Sequence, residues 1–224
     1  MNTAQVYKRP SKSRIRWNRP SKVGNAAAAI GELSPGLEVF ILSMGQFSLI
    51  DSMLHLVEQV GPCNVDVSVW TVAHYDMGKA QALIEQSTIR AMRWLIDRSF
   101  PARQPSFVRR MRDLFGDRCI RVTQAHCKFM AIYNDTWNLA VRTSMNLNEN
   151  PRMETLEISD DPGLCGFLRS VVDAVFEEVA PGDLGATLTS LERLKEEAAA
   201  GGVTAAEIGR TLGYPTARPL RSLR

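Results

Sequence analysis

Short apolar, β-branched runs alternate along the chain with longer amphipathic stretches, in which apolar residues recur every three or four positions, from about Ala26 to Phe176. The short runs predict strands over 37–43, 65–71, 93–97, 119–123, 126–133, 137–143 and 153–159. Between the first two, Leu49, Ile50, Met53, Leu54, Leu56, Val57 and Val60 make one wide apolar helical face. Ser48 and Asp51 stand at the start of that face as an N-cap pair, and Gly61-Pro62 ends it. A second helix is predicted over 79–86, a third from a Ser106 cap to a Gly116 stop, and a fourth opening at Asp160-Asp161-Pro162. The last of these buries Leu168, Val171, Val172, Val175 and Phe176. Strands interleaved with helices predict an α/β layer fold.

The ends of the chain lack this pattern. Residues 1–25 mix Lys, Arg, Ser, Pro and Asn, which predicts a basic flexible arm ahead of a main domain over 26–180. Residues 181–224 form a C-terminal helical tail, with a helix over about 186–199 that stops at Gly201-Gly202. Ala206, Ile208 and Leu212 then share a helical face, as in the first helix of a helix-turn-helix, but Pro215 and Pro219 shorten any recognition helix. A plain helical tail is the simpler reading.

Charge sharpens this division. Lys8, Arg9, Lys12, Arg14, Arg16, Arg19 and Lys22 precede every acidic residue, and residues 207–224 hold four arginines against Glu207 alone. The net charge of +3 therefore conceals an acidic body with cationic ends, an arrangement suited to tails that seek a polyanion such as nucleic acid. A tail that only aids solubility is the bland alternative. The 45% hydrophobic and 23% charged content is that of a globular protein, and no apolar run is long enough to span a bilayer or to serve as a secretory signal, so a cytoplasmic location is expected. Cys63, Cys119, Cys127 and Cys165 lack the paired spacing of a zinc site and are read as reduced thiols.

The chemistry concentrates in Ala125-His126-Cys127-Lys128, followed after one hairpin by Arg142-Thr143-Ser144-Met145-Asn146. On a strand of period two, His126 and Lys128 project from one face, joining a nucleophile to a cation. If the next strand pairs antiparallel and ends at Ser144, the Ser144 hydroxyl and Asn146 amide reach the same patch and add donors for phosphate oxygens. Arg109 and Arg110, beside Arg112 on the third helix, are further candidates to grip phosphates, although exposed basic helix faces are commonly only solvated. His55, on the first long helix with nothing nearby to complete a site, is read as structural.

His126, Lys128, Ser144, Asn146 and Glu154 resemble, in order and approximate spacing, the His-x-Lys, Ser-x-Asn and downstream Glu of the phospholipase D superfamily. The resemblance covers roughly residues 26–180. It implies a mixed sheet of about seven strands flanked by helices, with no cofactor and no metal. It also implies a histidine that attacks phosphorus, a second histidine that protonates the leaving oxygen, Lys128 and Asn146 stabilising the phosphoryl group, Ser144 assisting, and Glu154 orienting the imidazole. Gly45-Gln46-Phe47-Ser48, Gly61-Pro62 and Val69-Trp70-Thr71 further resemble members of the superfamily from phages and prophages.

The chain departs from the superfamily pattern at Tyr133, where an Asp is usual, at Thr143, where a Gly is usual, and at Arg152-Met153-Glu154, with Glu157 as a fallback for Glu154. It holds one motif where the superfamily usually works with two, which implies a homodimer with the site on its twofold axis. The function expected is an endonuclease or related phosphodiesterase acting on DNA or RNA, with Lys8, Arg9, Lys12, Arg14, Arg16, Arg109 and Arg110 on the nucleic acid. The alternative is a phage accessory protein that binds nucleic acid without cleaving it. Lipid hydrolysis lacks an amphipathic anchor in the sequence.

Overall fold

The computed structural model describes residues 16–18, 25–70, 72, 74–147 and 152–183. All of them fall within Gln5–Gly185, one of two units into which the chain divides. Lys8, Arg9, Lys12 and Arg14, the helix expected at 186–199 and the helix-turn-helix-like stretch lie outside the described residues.

An eight-stranded mixed sheet runs in the order β1-β2-β8-β7-β6-β3-β4-β5. β2 (Glu38–Ser43), β8 (Glu154–Asp160), β7 (Asn138–Thr143), β6 (Lys128–Tyr133) and β3 (Cys63–Val69) are successively antiparallel. β3, β4 (Ile89–Asp97) and β5 (Ile120–Thr123) are parallel, as are β1 (Arg16–Asn18) and β2. The α/β class and the seven expected strands are present. The eighth, β1, lies within the expected arm of 1–25 and places Arg16 on the sheet edge.

Side-chain alternation explains how the sheet carries helices on both faces. On β6, Met130 and Ile132 join the larger core, while Phe129 and Ala131 join the smaller one. On β7, Leu139 and Val141 divide from Ala140 in the same way, as Trp94 and Ile96 divide from Leu95 on β4. The larger core includes Ile30 of α1 (Ala26–Ile30), Leu56 of α2 (Leu49–Val60), Met77 of α3 (His74–Glu85), Phe100 of α4 (Ser99–Arg103) and Met111 of α5 (Pro105–Phe115). The smaller is closed by α6 (Pro162–Glu178), whose Leu164, Leu168 and Val172 lie over the small Ala131 and Ala140.

The helix signals in the sequence correspond to real caps. Ser48 Oγ accepts from the Asp51 N–H while Asp51 accepts from the Ser48 N–H, and Gly61 ends α2 at φ 73°, a conformation a Cβ disfavours. Burial opposes charge on Asp51, but Lys79 and the Ser48 donors outweigh it and hold the carboxyl below its ordinary range. The cap is therefore at full strength above the unfolded carboxylate range and is lost as pH falls through the lower folded value. Ser48→Ala should cost about 1 kcal/mol in urea denaturation at neutral pH, and the deficit should shrink in acid. Asp161 caps α6 with Pro162 in its first turn. His55 Nε2 lies 3.1 Å from the Gly31 carbonyl oxygen, joining α2 to the end of α1, a structural placement.

Some boundaries differ from the sequence reading. α3 begins at His74, β4 begins at Ile89, and α5 starts at Pro105 after Gln104, which makes no side-chain cap. Arg90 and Arg93 interrupt the apolar run of β4 and conceal its length, and α1 and α4 are too short to show a period.

Candidate active site

The carboxyl ends of β2, β3, β4, β5 and β7 and the starts of β6 and β8 share one edge of the sheet. Every residue of the expected constellation lies there. β5 is the outermost strand, whereas β6, next in sequence, lies three places inward. The chain between them must cross the ends of β4 and β3, a distance of about 14 Å at about 4.8 Å per strand. Only residues 124–127 are available for this, and they leave β5 through a bend at Gln124 in which the Ala125 N–H donates to the Thr123 carbonyl at 2.9 Å.

This crossing corrects the expected strand 126–133. β6 begins at Lys128, and His126 belongs to the crossing segment, so the two do not alternate along one strand. The segment is fixed by Ser68 Oγ at the end of β3, which donates to the Cys127 carbonyl at 3.1 Å, and by Lys128 Nζ, which donates to the His126 carbonyl at 2.9 Å. The imidazole is exposed, and its ring centroid is 5.8 Å from that of Trp70, just beyond β3, with the planes 56° apart.

Asn146 follows β7. A parallel bridge between Val72 and Leu147 draws the continuations of β3 and β7 together, and the Trp70 N–H donates to Asn146 Oδ1 at 3.3 Å. Because that partner is a donor, the amide oxygen faces Trp70, and among the described residues both Nδ2 protons remain for another acceptor. Lys128 likewise retains donors beyond the one given to the His126 carbonyl.

Ser144 and Glu154 are placed differently from the roles drawn for them. Ser144 Oγ donates to Glu154 Oε2 and accepts from the Thr155 N–H at 2.9 Å, so its one proton is already engaged. Among the described residues the Glu154 carboxylate meets this hydroxyl rather than the imidazole. Thr143, standing where a Gly is usual, donates from Oγ1 to the Thr155 carbonyl at 2.6 Å and accepts from the Met145 N–H at 2.9 Å. Together these bonds brace the turn that presents Asn146. Glu157 pairs with Arg142 across the β7–β8 ladder, away from this function. Arg109 and Arg110 are exposed on α5, while Arg112 pairs with Asp117.

At Tyr133, burial raises the phenol pKa, and the Arg169 guanidinium lies 3.7 Å over its ring. Asp66 on β3 is buried on the same face of the sheet and accepts from Nε and Nη2 of Arg93. Two residues at the site escaped the sequence reading. Trp70 was noticed only as part of a resemblance, and Arg103 lies on a helix too short for a periodic signal; its guanidinium carbon is 3.9 Å from the Trp70 ring centroid.

All four cysteines are free, and Cys127 is exposed beside His126. No helix among the described residues is long and apolar enough to cross a membrane. Comparison with protein-family models and with curated proteins gives no match. Among solved structures, the chain is similar to NucT from Helicobacter pylori at 14% identity and a TM-score of 0.45, over 64% of this chain and 99% of that one. It is also similar to Nuc from Salmonella typhimurium, described as a phospholipase D family member, at 10% identity and a TM-score of 0.46, over 64% and 95%. A third similarity is to polyphosphate kinase from Porphyromonas gingivalis, at 14% identity and a TM-score of 0.47, over 73% and 30%.

Proposed function

We propose that the chain is a phospholipase D-like phosphodiesterase, an endonuclease that cleaves DNA or RNA through a phosphohistidine without a metal, and that two copies complete one site. The observation that carries this reading is the exposed His126 imidazole, set against Trp70 at the sheet edge where Lys128 and Asn146 keep hydrogen-bond donors available.

In the first step an imidazole nitrogen of His126 bonds to phosphorus while a P–O ester bond breaks. The leaving oxygen takes a proton from His126 of the partner subunit. Water then attacks phosphorus, the N–P bond breaks, and the same partner imidazole accepts the water's proton. Lys128 and Asn146 stabilise the charge that gathers on the non-bridging oxygens. Ser144 and Glu154 act one step removed, by fixing the turn that carries Asn146.

The discriminating experiment incubates the purified chain with single- and double-stranded DNA and RNA in EDTA, with light scattering on the same sample. EDTA-resistant cleavage by a dimer is the expected result. Binding without cleavage would support the non-catalytic alternative, and release of headgroups from phospholipid vesicles would replace both. A phage origin and action inside a bacterial host cell are parts of this proposal drawn from the sequence resemblance alone.

A further inference from the structure

Arg103 is positioned without being neutralised. Its Nε donates to Ser99 Oγ at 3.2 Å, Ser99 in turn bonds Asp97, and one Nη2 proton points to the Trp70 carbonyl at 3.5 Å. The guanidinium plane rests on the Trp70 indole, 3.9 Å from its centroid. Arg93 pairs with Asp66 and Asp173, Arg112 with Asp117, Arg142 with Glu157, and Lys79 with Asp51, whereas Arg103 is held by neutral groups and an indole. Among the described residues no carboxylate lies within ion-pair distance of Arg103. Among the described residues two of its five N–H donors are engaged, and the side chain is exposed. Stacking removes water from one face of the guanidinium and fixes its angle while leaving its full charge.

The same indole touches the candidate nucleophile. Trp70 stands between the guanidinium, at 3.9 Å, and the imidazole, at 5.8 Å, so Arg103 is separated from His126 by no more than those two distances together. Successive phosphates of one strand stand about twice the 3.4 Å axial rise per nucleotide apart, a step of the same order as that separation. A phosphate held by His126 and Lys128 therefore brings a neighbouring phosphate of the same strand within reach of Arg103.

We propose that Arg103, mounted on Trp70, is a specificity-determining residue that binds the backbone phosphate beside the scissile one, so that the site selects a polynucleotide strand over an isolated diester. This rests on the phosphodiesterase reading of His126. It adds a second anion subsite that a single-phosphate substrate leaves empty.

The test measures binding of a fluorescent single-stranded 12-mer deoxyoligonucleotide to the full chain carrying His126→Ala, across a series of salt concentrations. Arg103→Ala in that background should weaken binding about tenfold and reduce the slope of log affinity against log salt by about 0.7, the value for one single-strand phosphate contact. Arg90→Ala removes the same charge from the start of β4, at the opposite edge of the sheet, and should keep the parental slope. Trp70→Leu should reproduce much of the loss, and the Trp70→Leu/Arg103→Ala double variant should bind no worse than Arg103→Ala alone.

An unchanged slope in Arg103→Ala, an equal loss in Arg90→Ala, additive losses in the double variant, or no binding by the parent chain would each overturn the proposal. Cleavage in EDTA by the unmodified chain, together with an unchanged Arg103→Ala slope, would sink this subsite while leaving the phosphodiesterase intact. An Arg103-dependent slope without cleavage would do the reverse.

Discussion

His126→Ala should lower EDTA-resistant phosphodiester cleavage on the order of 10⁴-fold or more, as expected when a covalent nucleophile is removed. It should also shift unfolding in urea by less than about 0.5 kcal/mol. The two halves of this prediction come from one observation: the ring is exposed on a crossing segment that Ser68 and Lys128 hold through its backbone carbonyls. Truncating it removes chemistry without opening a cavity. A large loss of stability would mean that the imidazole is a packing residue and that the reading of the site is wrong.

Subunit mixing gives the same variant a second use. In a shared site one imidazole attacks while its symmetry mate supplies the proton, so a heterodimer with one His126→Ala chain lacks half of the required chemistry. Equal amounts of wild-type and variant chains, unfolded together and refolded, should retain about a quarter of the activity of the same total of wild-type chain, because only doubly wild-type dimers function. Retention of about half would show that each chain works alone, and the twofold arrangement would have to be abandoned.

The strand and helix order was legible because each element has a local signature. β6 and β7 are short continuous apolar runs, as strands covered on both faces are, and α2 has a capping box at Ser48 and a glycine stop at Gly61. The position of His126 was less so. Treating it as part of a strand follows naturally from Phe129 to Ile132, but its conformation is imposed by the strand order, which sends the chain from the outermost strand to an interior one. No local pattern records that crossing. The contact between Ser144 and Glu154 was hidden for a related reason: spacing shows that both reach the sheet edge, whereas only geometry shows that they bond each other. Trp70 and Arg103 were invisible as a pair, since 33 positions separate them and their contact depends on where β3 and β4 end. The Asp66–Arg93 pair is a neighbouring register pair on parallel strands, which sequence leaves unspecified until strand order is known.

That pair predicts the largest change in stability. Asp66 is 1% exposed, on the α6 face of the sheet, and Arg93 meets both of its oxygens at 2.6 and 2.7 Å while a third nitrogen reaches Asp173 on α6 at 2.6 Å. The guanidinium also lies 5.2 Å from the Phe176 ring centroid, so one side chain ties β3, β4 and α6 together. Arg93→Ala leaves a buried carboxylate without its cation and should cost about 3–5 kcal/mol in urea denaturation near neutral pH. Burial pushes the Asp66 carboxyl upward, with Arg93 pulling against it. Once Arg93 is gone, the folded chain holds the Asp66 proton more tightly than the unfolded chain does. Stability is then greatest below the unfolded carboxylate range and falls as pH rises through the elevated folded value, so the deficit of Arg93→Ala should widen from acid toward neutral pH. An apolar replacement of the pair, Asp66→Leu with Arg93→Met, should recover much of the loss and flatten this pH dependence, because no buried charge remains. A double variant as unstable as Arg93→Ala would instead place the stabilisation in the Arg93–Asp173 contact to α6.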